Sequence, residues 1–120
     1  MTRTPTPESH PALSEVTWEL LLSLAGGERH GYSILLDVEE RTEGRLQLLP
    51  GSLYRALHRL EDQGWVEEVA EAPAADQDAR RRVYRLTRRG RGVAEAEARR
   101  LAAALRAARD RGLVPEQEGR

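Results

Sequence analysis

Residues 49–65 read Leu49-Pro50-Gly51-Ser52-Leu53-Tyr54-Arg55-Ala56-Leu57-His58-Arg59-Leu60-Glu61-Asp62-Gln63-Gly64-Trp65. Leu53, Leu57 and Leu60 recur at i, i+4 and i+7, the spacing of one apolar stripe on a helix. Ser52, Arg55 and Arg59 fall on the opposite side, with Tyr54 and His58 on the flanks. Pro50 suits a first helical turn, where its missing N–H has no intrahelical acceptor to lose. Gly64 stands where a left-handed C-terminal cap is wanted. The stretch therefore predicts a helix of about three to four turns, buried on one side. Its other side carries small, hydroxylated and guanidinium groups, which fit a DNA major groove. An ordinary amphipathic surface helix has the same periodicity, so the rest of the chain has to decide.

The chain has 120 residues, the length of one domain, and 39% of them are hydrophobic. Cysteine is absent, which removes disulfides, thiol catalysis and Cys-ligated zinc. No run approaches the roughly 18 apolar residues of a membrane span, and Met1-Thr2-Arg3-Thr4-Pro5 does not resemble a signal peptide. The expectation is a cytoplasmic protein. A net charge of -1 hides an asymmetry. Residues 1–79 hold 6 Arg against 15 Asp plus Glu, whereas residues 80–111 hold 12 Arg against 3 acids. Phosphate contact depends on such a local field more than on net charge.

Working outward, residues 1–11 contain three Pro and little to bury, and read as a flexible arm. Leu13, Val16, Thr17, Leu20, Leu21 and Leu24 repeat with helical spacing and predict a first helix that ends at Gly26-Gly27. A second is expected from about His30 to Thr42, with Tyr32, Leu35, Leu36 and Val38-Glu39 on its apolar side and Ile34 extending it, stopped by Gly44. A short loop then leads into the helix of residues 49–65, the plan of a helix-turn-helix. Beyond Gly64, residues 65–71 are a strand candidate and residues 73–80 a polar turn. Arg82-Val83-Tyr84-Arg85-Leu86-Thr87 alternates as a return strand, so the two strands form a hairpin of the kind called a wing. Thr87 can cap a last helix, whose first turn Gly90 and Gly92 are expected to fray, and which runs to about Arg111. Ala94, Ala98, Leu101, Leu105 and Ala108 form a narrow stripe on it that suits pairing with a second copy of the chain. The expected fold class is mainly α with a small β-hairpin: a winged helix-turn-helix over residues 12–87, a dimerisation helix over 88–111 and a tail over 112–120.

Together, His30-Gly31-Tyr32-Ser33-Ile34, Pro50-Gly51-Ser52-Leu53-Tyr54-Arg55-Ala56-Leu57, Arg59-Leu60-Glu61, Gly64-Trp65-Val66 and Arg82-Val83-Tyr84-Arg85-Leu86-Thr87 resemble the PadR family of bacterial transcriptional regulators. The resemblance runs from about Leu13 to the final helix. It implies a winged helix-turn-helix homodimer that represses transcription at a palindromic operator and leaves the DNA when a small, often aromatic, effector binds. It implies the short subclass, with a single C-terminal dimerisation helix. The chain departs from the family pattern in having no Lys on the third helix and in an unusually acidic approach to the wing, with Glu67, Glu68, Glu71, Asp76 and Asp78.

The residues expected to meet DNA are Ser52, Tyr54, Arg55 and Arg59 on the third helix and Arg80, Arg81 and Arg82 in the wing. Tyr32 joins them from a position that the resemblance implies faces the DNA backbone. Arg55 suits bidentate contact with a guanine, worth roughly 1–3 kcal/mol of discrimination. The alternative for Tyr54 is an aromatic at the core edge, and for Arg59 an i+3 pair with Asp62. A different reading of the whole chain is a helical dimeric protein-interaction module that keeps the fold without reading DNA. Catalysis is not expected. Gly51-Ser52-Leu53 lacks the second Gly and preceding strand of a nucleophile elbow, Gly90-Arg91-Gly92 lacks the third Gly of a dinucleotide loop, and no cofactor or metal motif is present.

Overall fold

The computed structural model describes residues 13–69 and 82–115. Four helices and three strands follow one another as α1 (Glu15–Ala25), β1 (Arg29–His30), α2 (Gly31–Arg41), α3 (Pro50–Asp62), β2 (Val66–Glu68), β3 (Val83–Leu86) and α4 (Arg88–Asp110). The arm of residues 1–11, the wing tip with Arg80 and Arg81, and residues 116–120 lie outside the described residues.

The ends of these elements follow from local chemistry. The hydroxyl of Ser14 accepts the backbone N–H of Thr17 at the start of α1, and Thr87 accepts that of Gly90 at the start of α4. At the end of α3, Gly64 takes φ +80. Its N–H reaches the Glu61 carbonyl while that of Trp65 reaches Leu60, the paired bonds of a Schellman cap. Gly112, at φ +75, ends α4 with the same two bonds, to Arg109 and, from Leu113, to Ala108.

Leu20, Leu21 and Leu24 of α1, Ile34 and Val38 of α2, and Leu53, Ala56, Leu57 and Leu60 of α3 form one core with Val66, Tyr84, Val93 and Ala94. The sheet has the order β1-β3-β2, antiparallel throughout. It therefore holds three strands where the sequence predicted two. Arg29 and His30 pair with Tyr84 and Val83, which ties the start of α2 to the wing.

Three further expectations change. The apolar side of α2 is Ile34, Leu35 and Val38, whereas Tyr32 and Leu36 stand about half exposed on another face. Both stripes have helical spacing, and only the packing of α1 and α3 chooses between them. Gly90 does not fray α4. A side-chain carbon there would stand 1.9 Å from the Trp65 carbonyl oxygen, so glycine is what allows α4 to seat against the corner after α3. Ala94, expected at a dimer contact, is buried in the chain's own core beside Val93. The first turns of α4 thus pack into the core of the winged unit.

A polar network braces α1 to α2 beneath this core. Arg41 binds the Glu19 carboxylate and main-chain carbonyl, and pairs with Asp37 at 2.9 Å. Arg29 approaches the other Asp37 oxygen at 3.8 Å and donates to the Ser23 carbonyl. Burial pushes the Asp37 carboxyl up, but the Ser23 hydroxyl and the guanidiniums of Arg41 and Arg29 outweigh it and hold the group below its usual range.

Candidate nucleic-acid interface

α3 packs one side on α2 and β2 and turns Arg55, His58, Arg59 and Asp62 to solvent, with Ser52 half-buried. Across from it stands the wing strand β3. Gly51, Tyr54, Arg55, His58, Arg59 and Glu61 form one wall of an open groove of about 590 Å³, and Arg82 and Tyr84 form the other. The structure thus brings Tyr54, Arg55, Arg59 and Arg82 of the expected site to one surface.

Their electrostatic states differ. Arg55 donates to the Ser52 hydroxyl, Nη2 to Oγ 3.3 Å, and no carboxylate among the described residues pairs with either Arg55 or Arg59. The pair between Arg59 and Asp62 that the sequence allowed is not formed. Arg82 and Arg85, by contrast, are matched. Arg82 lies 3.8 Å from Glu68, and Arg85 binds Glu67, its cross-strand partner, at 2.8 Å and Glu28 at 3.4 Å. Exposed ion pairs of this kind contribute little stability, yet they supply counterions that a phosphate would have to displace.

Tyr54 lines the groove but turns its hydroxyl into the fold. Its ring lies against the start of α2, where a side-chain carbon on Gly31 would stand 2.5 Å from its hydroxyl oxygen. That oxygen is enclosed, with almost no surface of its own. Tyr54 is the core-edge aromatic of the alternative reading, and it sets the distance between α2 and α3. Gly31 is the residue whose role the sequence concealed. The available signal was a glycine in the first turn of a helix, where it weakens the helix unless a close approach requires it. Tyr32, next to it, is 51% exposed and free to present its side chain outward.

Glu61 was also missed. It enters the groove near Glu68 and Asp62, with His58 at 3.8 Å. Burial and then Glu68 push its carboxyl above the usual range, against the pull of His58 and Arg82. Tyr84, in the opposite wall, is pushed up to about 12 by burial, with Glu68 and Glu61 adding to it. Among the described residues no cluster of ligating side chains suits a metal ion, and no helix is long and apolar enough to cross a membrane.

The fold is shared with solved transcriptional regulators. A PadR family regulator from hypervirulent Clostridium difficile R20291 superposes with a TM-score of 0.65 at 20% identity, over 81% of this chain and 97% of the other. A PadR-like regulator of Bacillus cereus gives 0.66 at 16% identity, over 83% and 93%. A transcriptional regulator of Clostridium thermocellum gives 0.62 at 22%, over 79% and 90%. No curated protein matches the sequence. The model of the transcriptional regulator PadR-like family matches residues 20–96, a span that begins within α1 and ends within α4 and so includes the helix-turn-helix, the sheet and the seat of Gly90. With well over half its length matched, the chain belongs to the PadR-like family of transcriptional regulators.

Proposed function

We propose that this protein is a cytoplasmic, homodimeric transcriptional repressor that reads a palindromic operator with α3. The observation that carries the reading is the outer face of α3, where Arg55 and Arg59 stand exposed beside an open groove and meet no carboxylate among the described residues. Arg55 and Ser52 meet base edges at the leading end of the helix, and Arg59 meets a base or phosphate one turn on. Tyr32 contacts the backbone from α2, and Arg80, Arg81 and Arg82 do so from the wing. The distal half of α4, with Ala98, Leu101, Leu105 and Ala108, pairs with a second copy, and a small aromatic effector releases the complex.

Fluorescence anisotropy against the chain's own upstream promoter, beside a scrambled duplex and at several salt concentrations, tests this. Preference for the promoter, with log K falling steeply against log salt, supports it. Arg55→Ala then relaxes sequence preference, whereas Arg81→Ala weakens both duplexes alike. Equal, feeble binding to both duplexes, with no DNA enriched in a genome-wide pull-down, rejects it.

A second reading has one observation in its favour. Arg82 and Arg85 already have acidic partners within the chain, as expected of a winged fold kept for protein contacts. Survival of the partner interaction after loss of Arg55 and the wing arginines together would select it.

A further inference from the structure

Leu49 gains nothing from the fold. It is 72% exposed, although its neighbours Leu46 and Leu48 pack on the core. It occupies the N-cap of α3 and supplies no side-chain cap bond. At the same position α1 and α4 place Ser14 and Thr87, whose hydroxyls each accept a first-turn N–H. A leucine there forgoes both the stabilisation of a cap and that of burial.

Its location supplies a reason. The end of α3 that Leu49 opens also carries the guanidinium of Arg55. That group folds back toward Ser52, and its Nη1 lies 3.5 Å from the place a side-chain carbon on Gly51 would take. One exposed helix end thus presents a forked donor and an isobutyl group. Among base edges in the major groove, the apolar feature is the C5-methyl of thymine.

We propose that Leu49 is a specificity-determining residue that packs on a thymine methyl of the operator, near the base read by Arg55. The inference rests on the DNA-reading function proposed above. It assigns a role to an apolar side chain that a search for cations and hydroxyls passes over.

The test begins by selecting a preferred duplex from random-sequence DNA with the full-length wild-type protein. Each thymine of that duplex is then replaced singly by uracil, which lacks only the methyl, and affinities are measured by anisotropy. The expected result is one thymine per half-site at which uracil weakens wild-type binding roughly fourfold, the effect of about one buried methyl. Leu49→Ala binds the thymine duplex more weakly and no longer distinguishes the two. Leu49→Ser, which restores a capping hydroxyl, raises Tm by a few degrees yet fails to rescue affinity. Indifference of the wild-type protein to every uracil overturns the inference and leaves DNA reading intact. So does discrimination that persists in Leu49→Ala, or wild-type affinity in Leu49→Ser. Selection that enriches no sequence overturns the proposed function as well.

Discussion

α3 and α4 are both rich in arginine, yet the chain treats them in opposite ways. α3 completes its packing within the chain. Leu53, Ala56, Leu57 and Leu60 are all buried, and past its first turn the exposed residues are polar or charged. α4 is 23 residues long, about 34 Å at 1.5 Å per residue, and only its first turns are covered. Gly90, Val93, Ala94 and Glu97 are buried. From Ala98 onward the helix is largely open to solvent, with Leu105 41% exposed. A helix whose apolar side is satisfied and whose cations meet no carboxylate among the described residues suits a polyanion. A helix that projects apolar groups past its own core suits a second copy. In the proposed regulator the two helices divide the labour between reading and assembly.

The largest expected effect tests where α4 is anchored. Gly90→Ala places a carbon against backbone at Trp65, which cannot rotate away as a side chain would, and should cost about 3 kcal/mol, read as a drop in Tm. Gly31→Ala, whose added carbon meets the Tyr54 ring, should cost less because that ring can shift. A tolerated Gly90→Ala would mean that α4 is not seated on the corner after α3.

Next comes the exposed half of α4. Leu105→Glu should weaken self-association by about 2 kcal/mol in sedimentation velocity while leaving monomer helicity unchanged. A variant that associates as the wild type does would remove the distal half of α4 from the interface.

A smaller contrast lies within the arginines of the groove. Arg59→Ala should weaken DNA binding by roughly 1 kcal/mol and reduce the salt slope by about one. Arg82→Ala should do less, because Glu68 already neutralises part of that charge. Equal losses would show that the ion pair dissolves when DNA arrives.

The smallest effects are proton-linked and have opposite signs. Asp37 is held below its usual range in the folded chain. Its stabilisation is therefore complete above the ordinary value of 3.8 and is lost as pH falls through the lower folded value. Asp37→Asn should flatten the acid limb of a Tm-against-pH profile. Glu61 is pushed up, so its charged form is disfavoured in the folded chain and Glu61→Gln should raise Tm slightly at neutral pH. It should also strengthen DNA binding by clearing a carboxylate from the groove. A loss of affinity would instead make Glu61 a contact that DNA uses.

What the sequence determined by itself is what acts within one or two turns of chain. The spacing of Leu53, Leu57 and Leu60 buries one side of α3 wherever that helix packs. Gly64 caps it because a positive φ is needed there, and Thr87 starts α4 through a bond to a residue three positions away. The alternation of residues 82–87 gave the strand of the wing. The tertiary structure decided whatever depends on partners far apart in sequence. Arg85 meets Glu28 across 57 residues, and β1 exists as a strand only because β3 lies beside it. Tyr32 and Ile34 could each have faced the core, and the Tyr54 hydroxyl could have opened into the groove, until Gly31 came to rest against its ring. The sequence placed the arginines on their elements. Packing decided which of the described ones meet a carboxylate, because a counterion is a matter of distance in space and periodicity carries no record of it.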